Sequence, residues 1–142
     1  MSEIKPISEL DAGLRKIVRR AIRARRHAYA PYSGFAVGVA ILDENGKIHT
    51  GCNVETAAYK VLHAEEVAIG KLISRGAKKL SVLVVAASED VPALPCGHCC
   101  QLISEFGTET RIVAVNARGT VFRELAFREI FPYGFSSEQL KS

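Results

Sequence analysis

Apolar and polar positions follow two different periods along this chain, and each change of period marks an element. Leu10, Leu14, Ile17, Val18, Ala21 and Ile22 recur at helical spacing. They predict a first amphipathic helix, capped by Ser8 and running to about Tyr29. Pro31-Tyr32-Ser33-Gly34 reads as a loop. Phe35 to Leu42 is nearly all apolar, as a strand covered on both faces must be. Asn45-Gly46 is a strong hairpin signal, so Lys47 to Gly51 is predicted to return antiparallel. Residues 53–62 show no clear period. Ala64 to Arg75 then carries Ile69, Leu72 and Ile73 on one side, with Gly76 as a helix stop. Leu80 to Ala87 is a valine-rich third strand, Gly97 to Phe106 a helix stopped by Gly107, and Arg111 to Ala117 a fourth strand. Arg118-Gly119 turns into a short fifth strand at Thr120 to Phe122. Glu124 to Ile130 reads as a short helix, and the tail from Ser136 as another.

Strand-helix-strand units imply a partly parallel sheet covered by helices. The predicted fold class is therefore α/β, a mixed five-stranded sheet flanked by helices. The 142 residues are 48% hydrophobic and 24% charged, which fits one domain over residues 1–142 with a full core. No apolar run is long enough to span a membrane, and the N-terminus has no apolar signal segment. Four cysteines, two of them vicinal, then suggest a reducing cytoplasm and metal ligation rather than disulfides. The net charge of +4 is concentrated in Arg15, Lys16, Arg19, Arg20, Arg23, Arg25 and Arg26. A solvated helix face accounts for that run. It lacks the interleaved aromatics that stack bases, so a nucleic-acid partner is not expected.

The candidate chemistry lies in His63-Ala64-Glu65 and in Pro95-Cys96-Gly97-His98-Cys99. H-x-E followed by P-C-x-x-C is the signature of zinc deaminases. Two thiolates and one imidazole make a three-ligand zinc site whose fourth position stays open for water. Zinc lowers the pKa of that water to about 7, so hydroxide is available at neutral pH. A carboxylate that is not a ligand must then carry protons, and Glu65 is placed for it. Cys96 and Cys99, at i and i+3, share a helix face. His63 and Glu65, at i and i+2, do not, so both reach one site only if it lies off a helix end. The zinc is therefore expected at two helix N-termini, near His63 and near Cys96, where the dipole favours anions. The alternative is a closed structural site with His98 or Cys100 as fourth ligand. In such a site the H-x-E half has no role.

Over nearly its whole length the chain resembles the small, homo-oligomeric cytidine deaminases of pyrimidine salvage. Residues Ala28 to Gly38 are similar to that family's substrate-loop and first-strand signature, Gly51-Cys52-Asn53-Val54-Glu55 to its ribose-binding segment, and Phe131-Pro132-Tyr133-Gly134-Phe135 to its closing loop. The resemblance implies a three-layer deaminase fold and a homotetramer. It implies that Asn53 and Glu55 hydrogen-bond the sugar hydroxyls, that Phe35 packs on the pyrimidine, and that Ala64 offers backbone hydrogen bonds to the base. It puts Phe135 near a neighbouring subunit's site. His63 replaces the family's usual first cysteine ligand, Glu66 its usual arginine, and Cys100 the arginine that often follows the last ligand. Three thiolates around a dication leave excess negative charge for an arginine to offset; two thiolates and a neutral imidazole do not.

The expected reaction is zinc-dependent hydrolysis of cytidine or deoxycytidine to the uracil nucleoside and ammonia. Glu65 would move the protons. The rival substrates are another aminopyrimidine nucleoside, such as a blasticidin-type antibiotic, and a polynucleotide. A zinc-stabilised binding protein without turnover is the rival of another class.

Overall fold

The computed structural model describes residues 2–141. Its principal sheet has six strands in the order β1-β8-β7-β6-β2-β3. These are β1 (Lys5–Pro6), β2 (Gly38–Asp43), β3 (Ile48–Cys52), β6 (Leu80–Ala86), β7 (Arg111–Val115) and β8 (Val121–Ala126). Only β6 and β7 pair in parallel, across the helix that joins them; the other pairs are antiparallel. A separate two-stranded ribbon, β4 (Val54–Glu55) with β5 (Val61–Leu62), lies inside the stretch that shows no period.

Alternation along the central strands supplies two cores. Val39, Ile41, Leu83, Val85, Ile112 and Ala114 point to one face, where they meet α2 (Ala64–Ser74) and α3 (Gly97–Phe106). Ala40, Val82, Val84, Ala86, Val113 and Val115 point to the other, against Leu14, Ile17, Val18 and Ala21 of α1 (Ala12–Arg25). A fully buried Val, Leu or Ile contributes about 1.5–3 kcal/mol, so these interleaved rows hold the three layers together. Along α1 the exposed positions include Lys16, Arg19 and Arg23, the solvated face that its charge pattern implied.

Four expectations are corrected. Asp11, not Ser8, caps α1: its carboxylate accepts from the Gly13 N–H at 2.7 Å, while Ser8 lies in a 3-10 turn at Ile7–Glu9. The helix ends at Arg25 and does not reach Tyr29. The sheet has a sixth strand, because Lys5 and Pro6 pair with Phe122 and Val121 at its edge, a position where proline's missing donor is tolerated. Residues 124–126 continue β8, and only α4 (Phe127–Ile130) is helical. Pairing of Val113 with Glu124 and Arg111 with Ala126 satisfies a flank of β7 that a helix there would leave open. A last short helix, α5 (Ser137–Leu140), follows Ser136 as expected.

Two glycines set the distance between layers. A methyl group on Gly38 would lie 2.2 Å from the Ala21 carbonyl oxygen in α1. One on Gly51 would lie 2.3 Å from the Ala64 carbonyl oxygen and 2.7 Å from the Ala68 nitrogen. The first turn of α2 therefore rests directly on the backbone of β3.

Candidate active site

His63 is the N-cap of α2 and Cys96 the N-cap of α3, both in extended backbone. The two helix starts face each other. His63 Nδ1 lies 3.5 Å from Cys96 Sγ and 3.3 Å from Cys99 Sγ, and the three donor atoms lie within 4.8 Å of one another. With Zn–S near 2.3 Å and Zn–N near 2.0–2.1 Å, the N-to-S edge of a tetrahedral zinc site is about 3.5 Å. The donors thus already stand at zinc-ligand spacing, as two thiols and one imidazole should for this metal. It is Nδ1 that turns to the thiols.

The electrostatics fit a cation as well. Burial pushes the Cys99 thiol far above its ordinary range, and the neighbouring Glu65 and Cys96 push it further the same way. A bound dication reverses that direction, since a coordinating thiol is deprotonated outright. Glu65 is 5% exposed, in the first turn of α2, with Cys99 beside it. Neither proposed alternative ligand joins the group. Cys100 is buried, its Sγ donates to the Pro95 carbonyl at 3.6 Å, and burial pushes its thiol up to about 11. His98 turns its Nε2 to Glu66 Oε1 at 2.9 Å.

The residues expected at the sugar and base are less uniform. Asn53 is 6% exposed, and its amide clamps the loop before β2, residues 31–37, here called the approach loop: Oδ1 accepts from Val37 N–H and Nδ2 donates to the Phe35 carbonyl, each at 2.8 Å. Glu55 does the same further out. Its Oε1 accepts from the Tyr32 and Ser33 amides at 3.0 and 3.1 Å, and its Oε2 accepts from the Ser33 hydroxyl. Those bonds, the Ser33 hydroxyl first, hold its carboxyl below the ordinary glutamate value. The partners these two side chains show are thus in residues 32–37, and that loop presents Phe35 half exposed. Ala64 is buried where α2 meets Gly51. Phe135 is half exposed, its carbonyl accepting from Gln101 Nε2 of α3 at 2.8 Å.

The model of the cytidine and deoxycytidylate deaminase zinc-binding region matches residues 13–115, a span that takes in His63, Glu65, Cys96 and Cys99. The chain belongs to this family. The cytidine deaminase of Sporosarcina psychrophila is 38% identical over 127 residues, 88% of this chain and 93% of the relative. That of Halalkalibacterium halodurans is 34% identical over 126 residues, 87% of this chain and 95% of the relative. The crystal structure of cytidine deaminase from Burkholderia pseudomallei superposes with a TM-score of 0.80 at 34% identity, covering 85% of this chain and 98% of that one. Zinc is the metal of this deaminase family, and the donor set described above suits it.

Three residues of this deaminase's site escape a reading of the sequence. Glu66 stands out there only as a missing arginine, yet its Oε2 accepts the His63 backbone N–H at 2.7 Å, half of a capping box. The spacing from His63 to an acidic residue three positions on is the available signal. Arg25 sits in the run of solvated charges. It instead ties the approach loop to the core: Nε donates to the carbonyls of Ala36 and Ala87 at 3.0 and 2.9 Å, and its guanidinium meets Glu89 at 2.8 Å. Ser33, in sequence given no role of its own within the substrate-loop segment, links Glu55 to the Phe35 amide. No local pattern marks Arg25 or Ser33.

Proposed function

We propose that this chain catalyses hydrolytic deamination of cytidine and deoxycytidine to the uracil nucleosides and ammonia. The relatives that are named cytidine deaminases support this substrate choice. The observation that carries the reading is a group of three donors, not four, at two helix N-termini, with a buried carboxylate beside it. Three protein ligands leave a coordination position for a reactant, whereas a structural site would close it.

His63 through Nδ1, Cys96 and Cys99 would hold the zinc. When bound, zinc supplies the Lewis acidity that makes water a nucleophile at neutral pH. Glu65 does the proton work. Its carboxylate accepts the proton that water loses on adding to C4 of the pyrimidine, and passes it to N3. It then carries the proton of the hydroxyl added at C4 to the exocyclic amine, so that the C4 carbonyl forms as the C4–N bond breaks and ammonia leaves. The helix N-termini stabilise the anionic donors. Phe35 packs against the pyrimidine ring. Asn53 and Glu55 position the loop, and each retains hydrogen-bonding capacity for a sugar hydroxyl: one donor and one lone pair on the Asn53 amide, a lone pair on the Glu55 carboxylate. Ala64 offers backbone groups to the base.

The protein acts as a homotetramer in cytoplasmic pyrimidine salvage, with Phe135 at a neighbouring subunit's site. Support for assembly comes from Tyr32, Phe35, Tyr59, Tyr133 and Phe135, aromatic side chains that one chain leaves in solvent. A panel of cytidine, deoxycytidine, a blasticidin-type nucleoside and a cytosine-containing oligonucleotide, read by ammonia release, tests the reading. Turnover should be highest on the two free nucleosides. Release only from the antibiotic or the oligonucleotide, or from none of the four, contradicts it.

A further inference from the structure

The three donors come from two separate stretches of chain, one ending at His63 and the other beginning at Cys96. No covalent link fixes the distance between the two helix starts. One carboxylate spans the gap. Glu66 Oε2 accepts the backbone N–H of His63 at 2.7 Å, and Glu66 Oε1 lies 2.9 Å from Nε2 of His98, on the first turn of α3 between the two cysteines. A carboxylate only accepts, so the His98 ring nitrogen carries the hydrogen. The imidazole rings of His63 and His98 lie 5.2 Å apart, tilted by 51°, so His98 lies beside the donor imidazole. Glu66 is the third residue of α2, where the helix dipole tolerates a carboxylate so near two thiols.

Resting on the zinc-site reading above, we propose that Glu66 and His98 form a positioning bridge that holds His63, Cys96 and Cys99 at ligand spacing. Neither residue ligates the metal or touches the reacting atoms. Glu66 fixes the N-cap backbone that aims the imidazole, and His98 transmits that fix to the helix bearing both thiols. The bridge gives the residue that stands in place of the family's arginine a different task. An arginine would answer the charge of a third thiolate. Glu66 instead aligns the two halves of a centre that needs no such answer.

The test measures the rate of zinc release from the loaded protein into a chelating dye, alongside zinc content and the unfolding temperature of the zinc-free protein. Outer-shell partners of metal ligands typically change metal affinity by 10–100-fold, and His98→Ala should accelerate release by about that factor. It should still hold one zinc per chain when zinc is saturating. Because the His98 side chain is mostly exposed, the unfolding temperature of the zinc-free protein should not change. His98→Gln, whose amide nitrogen takes the place of Nε2, should restore most of the slow release. Glu66→Ala should accelerate release at least as much, and adding His98→Ala to it should change little, since the bridge is already broken. Release from His98→Ala at the wild-type rate, no rescue by His98→Gln, or additive effects in the double variant would each overturn the bridge and leave the three-ligand site standing. A His98→Ala protein that cannot reach one zinc per chain would make His98 a ligand and overturn the site itself.

Discussion

Replacing Gly51 with alanine should damage the protein in a way that only the close approach of α2 to β3 explains. The added methyl would sit 2.3 Å from the Ala64 carbonyl oxygen and 2.7 Å from the Ala68 nitrogen. Both are backbone atoms, so no side chain can swing aside, and one of the two elements must retreat by about 1 Å. Overpacking of this kind costs about 1–3 kcal/mol. For a chain of this length each kcal/mol lowers the unfolding midpoint by about 3 °C, so a loss of about 3–9 °C is expected in a thermal scan. The retreat also moves His63 and Glu65 relative to Cys96 and Cys99, and a misplacement of 1 Å can cost about 10²-fold in rate. Cytidine turnover should therefore fall even in the fraction that remains folded and zinc-loaded. Gly70→Ala is the control on the same helix. Gly70 is exposed, and its methyl would meet no atom within 4 Å. Filling a helix interior with alanine instead of glycine should stabilise by about 0.5–1 kcal/mol. Opposite signs at the two positions are the expected result. A Gly51→Ala protein with an unfolding midpoint and turnover equal to those of the wild type would refute the geometry.

Metal analysis should find about one zinc per chain, lost in Cys96→Ser and in Cys99→Ser but kept in Cys100→Ala, whose thiol bonds the Pro95 carbonyl; loss of zinc from Cys100→Ala would mean the ligand set is wrong. The Glu55 carboxyl titrates below its ordinary value because it accepts from the Ser33 hydroxyl and from the Ser33 and Tyr32 amides. A depressed carboxyl stabilises above its unfolded value, about 4.3, and that contribution fades as pH falls through the folded value. The Tyr32 and Ser33 amide resonances should accordingly shift together in acid, with a midpoint below about 4.3, and Ser33→Ala should move that midpoint up; an unmoved midpoint would remove Ser33 as the cause. Light scattering at assay concentration should report a tetramer, and a fully active monomer would contradict the shared site.

The zinc centre was legible because its chemistry constrains both residue type and spacing. Two cysteines three apart, and a histidine two before a glutamate, admit few arrangements that bring all four to one place. The central strands were legible for a different reason. Buried on both faces, β2, β6 and β7 read as largely apolar runs, β6 rich in valine. What failed was decided by tertiary context. β1 is two exposed residues whose only mark is a partner on β8. The segment before Phe127 carries helix-forming glutamate and leucine, yet the open flank of β7 claims it as strand. Asn53 and Glu55 read in sequence as facing a sugar. The structure shows their polar atoms bonded to residues 32–37, a use that depends on where the loop folds.

The most direct test of the account pairs zinc content with cytidine turnover in Glu65→Gln. The substitution keeps the size of the side chain and a hydrogen-bonding end but removes the group that can carry a proton. A general acid and base contributes about 10²–10⁴-fold, and in the proposed mechanism Glu65 serves several transfers, so turnover should fall by about 10⁴-fold or more. Zinc should stay at one per chain, because Glu65 lies outside the group of His63, Cys96 and Cys99 that is placed to hold it. A zinc-loaded Glu65→Gln protein that keeps a tenth of the wild-type rate would show that this buried carboxylate is not the proton carrier.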